Sequence, residues 1–510
     1  MTISLRALLT AALLPGALLL LGSGPGSGRG PSEGPISRPR GRTICGCAHA
    51  CSPASYQGCG CGSVACFPGG DRLRELATDV VASTALARQE SPALCVDGLA
   101  AGTFPCQGVS LQSFVALAVM SPAAISGSSL WGFADLDDGR EYAVFGMSHG
   151  TAVVDVTDPA GPVVVGSIPG PQSTWREVKV YQVYSPAQRR YRAYAYVVSE
   201  APTAGLQILD LTELPRQVSL AATYRGFDTA HTVTLANVDP VTGAANGGLV
   251  RPVLYLEGAR NPVAGIAALD ISDPIAPTLL GTYTESYGHD IWTGVVSGSR
   301  ASACGSGHDP CEIVVNWAGD AIRVLDWTDK ANPVIISELR YADLGYAHSG
   351  WISADGNFLF SMDELDERTS GANSRVRVLS VADWRNPFVA SEWIGSTPAI
   401  EHNGYTKGGK FFIAHYERGL TILDVSDPIA PREAGFFDTY TAGDTPTFHG
   451  AWGVYPFLPS GNILLSNIDG AGGLYVLKEA PASRDPVLYG VPDRPPVLRA
   501  GPRTFRRSAR

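Results

Sequence analysis

VVDVTDP (153–159) returns as ILDLTEL (208–214), ALDISDP (268–274), VLDWTDK (324–330), VLSVADW (378–384) and ILDVSDP (422–428), and once in degraded form as VLKEAP (476–481). Aligned on their third column, Asp155, Asp210, Asp270, Asp326, Ser380, Asp424 and Lys478 stand 55, 60, 56, 54, 44 and 54 residues apart. A period near fifty carried by β-branched segments is the signature of small sheets arrayed around an axis, a propeller. Each unit divides into four strands. In the fifth these are HSGWIS (348–353), NFLFS (357–361), RVRVLS (375–380) and PFVASEW (387–393), and the third opens with the period-two alternation of a half-buried strand. The Asp-x-[Ser/Thr]-Asp-Pro segment of the other units is turn chemistry, because Asp and Ser oxygens accept backbone N–H bonds and Pro fixes φ. The repeated Asp is therefore read as a turn former.

Counted this way, seven units lack one strand. The last has three, and the orphan strand VSLQSFVAL (109–117) ahead of the first resembles the fourth strands VSLAAT (218–223) and PTLLGT (277–282). If the orphan completes the last unit, no long sheet edge is left open. The expectation is an all-β, seven-bladed propeller of four-stranded blades over 109–480, closed by its N-terminal strand.

Composition agrees. The 510 residues allow several domains, but the repeat absorbs most of them into one ring. An apolar fraction of 45% against 17% charged supplies a large core, and 58 Gly with 37 Pro favour many turns over long helices. The net charge of −10 is partitioned: 1–44 carries +4 and 481–510 carries +5, leaving −19 on 45–480. So acidic a body repels phosphate backbones, and nucleic acid is excluded as a partner.

Arg6 followed by the apolar run 7–21 and Gly22-Ser23-Gly24 reads as a signal peptide, 1–24, too short to span a bilayer comfortably. With no second long apolar stretch, the mature chain is expected to be secreted or cell-surface, without a transmembrane segment, and monomeric. The Arg/Pro/Gly/Ser stretch 25–44 and the Pro/Arg-rich tail 481–510 read as flexible, and 67–108 as an extension before the ring. Ten cysteines suit an oxidising compartment. Cys95 with Cys106 and Cys304 with Cys311 are the natural local pairs. Cys45, Cys47, Cys51, Cys59, Cys61 and Cys66 form a cysteine-rich segment of disulfides with open connectivity, or with His49 a zinc site.

Ordered segments carry a resemblance: CVDGLAAGTFPCQGVSL (95–111), WGFADLDDGREYAVFG (131–146), WREVKVY (175–181), FDTAH (227–231), GHD (288–290), AHSGW (347–351), DELDE (363–367), EHNGY (401–405) and FHGAWGVYPF (448–457). The repeated strings look like the LVIVD repeat, and Cys95 to about Ala480 resembles the exported bacterial proteins called the choice-of-anchor B family. The resemblance implies a fold and a location, with no reaction attached. The tail departs from an anchored pattern, having neither an apolar helix nor a sorting signal.

First strands begin at His231, His289, His348, His402 and His449, with Trp175 and Ser128 in the two remaining units. An aromatic follows three residues on in Trp131, Trp292, Trp351, Tyr405 and Trp452. If first strands are innermost, their starts share one channel mouth with the loops between second and third strands, which carry His149, Glu200, Glu257, Asn316, Asp363, Glu364, His415 and Asp469. One reading has the imidazoles hydrogen-bonding across a narrow channel. The other has His231, His289, His348, His402 and His449 with Asp363 and Glu364 binding a divalent transition metal, or DELDE binding Ca²⁺. Trp175, Glu200, Glu257, Asn316 and His415 would then contact a ligand. No Gly-x-Ser-x-Gly elbow or phosphate loop occurs. The function expected is non-catalytic binding of an extracellular protein, glycan or ion. The alternative is a metal-dependent enzyme at the histidine mouth, and a third reading puts function in the cysteine-rich segment.

Overall fold

A computed structural model describes residues 92–246, 251–305 and 307–480. The signal peptide, the linker, the six clustered cysteines and the basic tail lie outside the described residues. Seven antiparallel four-stranded blades form a seven-bladed β-propeller. The first blade comprises Gly127–Ala134, Glu141–Met147, Gly150–Asp155 and Val163–Pro169. The fifth comprises Ala347–Ile352, Phe358–Asp363, Arg375–Ser380 and Phe388–Ile394, and the others follow the same order.

The seventh blade joins both ends of the ring. Ala451–Tyr455, Asn462–Asn467 and Gly473–Glu479 are completed by Val109–Ala116, which pairs antiparallel from Val109 against Glu479 to Ala116 against Gly473. A β-bulge interrupts the pairing of third and fourth strands in every blade, for example at Val153/Val154, Val324/Leu325 and Ile422/Leu423. The closing strand has it too, at Leu111/Ser113. This shared irregularity, which bends and twists an outer strand, makes Val109–Ala116 a true fourth strand. Leu99–Ala100 and Phe104–Gln107 add two more strands to the outer edge of the sixth blade, and the Cys95–Cys106 disulfide ties that segment. Cys304–Cys311 is the second expected bridge.

The repeated Asp does form turns. Oδ1 of Asp155, Asp210, Asp270, Asp326 and Asp424 each accepts the N–H two residues on, at 2.7–3.1 Å. The expectation of a half-buried third strand needs correction. The second strand Glu141–Met147 is buried at all seven positions, the third strand Gly150–Asp155 at its first five, and in the third strand Arg375–Ser380 the four central residues, Arg377 included, are buried. Neighbouring blades cover both faces of the second and third strands. Among the described residues it is the fourth strands of the first five blades, such as Val163–Pro169, that face solvent along much of their length, whereas Val109–Ala116 is largely buried.

Candidate functional site

The first strand of each blade is innermost, so its start opens on one mouth of the channel and its end on the other. Four imidazoles follow one another around the first mouth. Ring centroids are 4.3 Å apart for His231–His289, 4.3 Å for His289–His348 and 4.4 Å for His348–His402. Trp452 continues the arc at 4.4 Å from His402. His449, expected as a fifth member, stands elsewhere: its Nδ1 pairs with Asp469 Oδ1 at 2.7 Å and its ring stacks on Tyr440. The reason is register: Trp452 lies between Ala451 and Gly453, at the same bulge that holds His348 between Ala347 and Ser349 in the fifth blade, so His449 falls three residues earlier, ahead of the strand Ala451–Tyr455. The aromatic three residues on is accordingly Tyr455, packed on Trp131 at 4.9 Å.

The arc ties blades together. Nδ1 of His289 lies 3.1 Å from the His348 carbonyl, and Nδ1 of His402 lies 2.7 Å from the Trp452 carbonyl. A carbonyl only accepts, so each Nδ1 carries the proton and each Nε2 faces the channel. Thr232 and Ser349 hydroxyls donate to the His289 and His402 carbonyls at 2.5 and 2.6 Å. His348 repeats the pattern loosely: the His402 carbonyl acts on its ring, but its Nδ1 makes no bond of normal geometry. Burial and the adjoining imidazoles hold His289 well below the usual histidine range. Burial lowers His348 as well. Burial also opposes charge on His231, yet Glu200, whose Oε1 is 2.7 Å from Nδ1, overcomes it and raises the group.

Of the other expected residues, Trp175 and Glu364 line this mouth. Glu364 accepts from the Tyr416 hydroxyl at 2.8 Å and lies 3.7 Å from Nε2 of both His348 and His402. The rest turn into the fold. Asn316 Nδ2 donates to the Tyr287 carbonyl, and Asp363 accepts from Gly345 N, Tyr346 N and the Tyr341 hydroxyl. His415 is held by Thr421 Oγ1 and the Ala399 carbonyl, and burial lowers it to about 4. Glu257 is fully buried, and desolvation pushes it well above the carboxylate range. The space among the imidazoles amounts to two voids of about 20 and 10 Å³, each of the order of one water.

Among the described residues, two undisulfided groups could hold a cation: His289, His348 and Glu364, and separately Asp366, Glu367 and Glu401. The acidic string DELDE is thus divided. Asp363 caps backbone, Glu364 faces the imidazoles, and Asp366 and Glu367 meet Glu401 of the next blade. Glu401, the first residue of EHNGY, is a site residue that sequence reasoning passed over.

Open space lies at the other mouth. A cavity of about 560 Å³ is walled by Trp131, Trp292, Trp351 and Tyr405, with Lys179 and Asp290 beside them. The column of aromatics three residues into the first strands is what marks it in the sequence, since three residues of strand span about 10 Å. Tyr405 meets Trp351 edge-on at 4.8 Å and Trp131 at 5.4 Å. Lys179 Nζ sits 4.5 Å from the centre of the Trp131 ring and pairs with Glu177. Burial raises Asp290 to about 7, opposed by the Lys179 charge.

The LVIVD repeat model matches residues 263–285 and 406–439. The chain carries LVIVD repeats. Both matched segments hold the third-strand string and its bulged fourth strand, in the third and sixth blades. No curated protein matches the sequence. Among solved structures it is similar to Sqt1 of Saccharomyces cerevisiae, at 9% identity and TM-score 0.42 over 68% of this chain and 83% of that one. A protein from Lactobacillus plantarum gives 13% and 0.41 over 66% and 88%. The Cps50 (Swd1) β-propeller domain of Myceliophteria thermophila gives 10% and 0.41 over 70% and 96%.

Proposed function

We propose that this chain is an exported or cell-surface binding module of the choice-of-anchor B kind, whose ligand is a glycan seated in the wide mouth of the propeller. The observation that carries the reading is the 560 Å³ cavity walled by three tryptophans and a tyrosine around Lys179 and Asp290. Aromatic faces cover the apolar faces of a sugar ring, while a few fixed charged groups satisfy its hydroxyls, and the volume falls within the range of small-molecule sites. Two disulfides and an N-terminal stretch of signal-peptide pattern support export. The alternative of a metal-dependent enzyme at the histidine mouth gains no support, because the space beside the imidazoles is water-sized and leaves little room for a substrate.

The test is a glycan array followed by titration calorimetry of the best binder with the full chain, Trp351→Ala and Asp290→Asn. Binding at least tenfold weaker in both variants, with unchanged circular dichroism, is expected. Absence of any saccharide binder at millimolar concentration, or equal affinity in both variants, overturns the reading.

A further inference from the structure

The acidic trio between the fifth and sixth blades is independent of both mouths. Asp366 and Glu367 open the short helix Asp366–Ser370, which follows the second strand of the fifth blade, and Glu401 precedes the first strand of the sixth. All three are at most 1% exposed, and each brings a carboxylate oxygen to within 4.8 Å of the other two. Asp366 Oδ2 accepts from Arg377 Nη2 at 2.7 Å. The two Glu401 oxygens face the N–H groups of Asp363 and Arg375 at 3.4 and 3.3 Å. Glu367 is different, since neither of its oxygens accepts from an N–H group or a hydroxyl and its near neighbours are the carboxyls of Asp366 and Glu401; Asp366 Oδ1 likewise accepts from no N–H or hydroxyl.

Buried carboxylates without partners are costly, and three of them against one guanidinium leave a charge of −2 in a region closed to water. Two protons or one divalent cation would neutralise it. Shared protons are the alternative, and burial with mutual repulsion does push Glu401 up to about 8 and Glu367 far beyond the carboxylate range. Protons on Glu367 and Glu401 would donate O–H bonds within the trio, so the proton-sharing and cation readings are separated by the experiment below. The ligand set is oxygen only, which disfavours zinc and copper. Mg²⁺ keeps several waters and strict octahedral geometry, which a fully buried site does not accommodate, whereas Ca²⁺ takes bidentate carboxylates in flexible arrangement.

We infer that Asp366, Glu367 and Glu401 bind one Ca²⁺ ion that fastens the fifth blade to the sixth. The test uses the full chain stripped with EDTA and titrated with CaCl₂ by calorimetry, with melting followed by circular dichroism. One Ca²⁺ per chain and a rise in Tm of several degrees in 1 mM CaCl₂ are expected. Glu367→Gln is expected to fold like the stripped protein, to bind at least tenfold more weakly and to lose the Ca²⁺-dependent rise; Glu401→Gln serves as a second variant should the first fail to fold. Absence of binding by the stripped wild-type chain, equal binding by the variants, or an equal effect of MgCl₂ overturns the assignment. So does a stripped protein that either substitution stabilises while Ca²⁺ does nothing, the outcome shared protons demand.

Discussion

Leu111→Ala tests whether the ring is held shut by its N-terminal strand. Leu111 is fully buried, pairs with Leu477 of the last-formed strand, and packs in a cluster with Val109, Phe114, Ile463 and Tyr475. Truncating such a leucine removes its transfer energy and leaves a cavity, costing about 3 kcal/mol. For a ring of roughly 370 residues, an unfolding entropy of about 2.1 cal/mol/K per residue gives about 0.8 kcal/mol/K, so Tm should fall by about 4 °C. Val163→Ala in the equivalent outer strand of the first blade is the control, since Val163 is 61% exposed and its loss should move Tm by less than about 1 °C. Both are measured by calorimetry at two scan rates, because a ring of this size can melt irreversibly. The reasoning is refuted if Leu111→Ala shifts Tm no more than the control, for then the strand merely lies on the seventh blade.

Two other expectations are quick to check. Folded His415 titrates near 4, against 6.5 for a free imidazole, so the unfolded chain binds the extra proton between those values. Stability from this group is complete above pH 6.5 and lost as pH falls toward 4, by about 3 kcal/mol at most. Urea melts of wild type and His415→Gln should therefore converge over that window, and parallel curves would contradict the assignment. Asp424→Ala removes the acceptor for Ser426 N and should cost about 1 kcal/mol. Its turn bonds hold Asp424 below the usual carboxylate range, so the difference from wild type persists above about pH 4 and fades as pH falls below it.

The ring was legible because duplication left a periodic record: the Asp turns at Asp155, Asp270 and Asp424 mark each third strand, and the likeness of 109–117 to 218–223 discloses its partner. Burial was less legible. RVRVLS alternates in sequence, yet Arg377 is buried, because coverage of both faces depends on the next blade. The position of His449 misled since the seventh blade's first strand begins at Ala451, so that Trp452, three residues on, takes the channel place that His348 holds in the fifth blade, and no pattern in FHGAW announces the shift. The wide mouth was present as a column of aromatics, but which end of the channel is open depends on how side chains fill the axis. Glu401 was invisible as a partner of Asp366 and Glu367, 34 residues apart in chain and joined only by blade packing.

Closure by Val109–Ala116 also imposes an order on biosynthesis. The strand is made first among those of the ring, but its partner, Gly473–Glu479, is made some 370 residues later. At about 5–20 residues per second the wait is roughly 20–75 s. Through that interval Leu111, Phe114 and Val115 have no sheet to join, and the nascent chain carries an unpaired apolar ribbon. Whatever escorts this protein as it emerges must shelter that ribbon until the last blade arrives, and a chain interrupted before residue 473 has no means of locking.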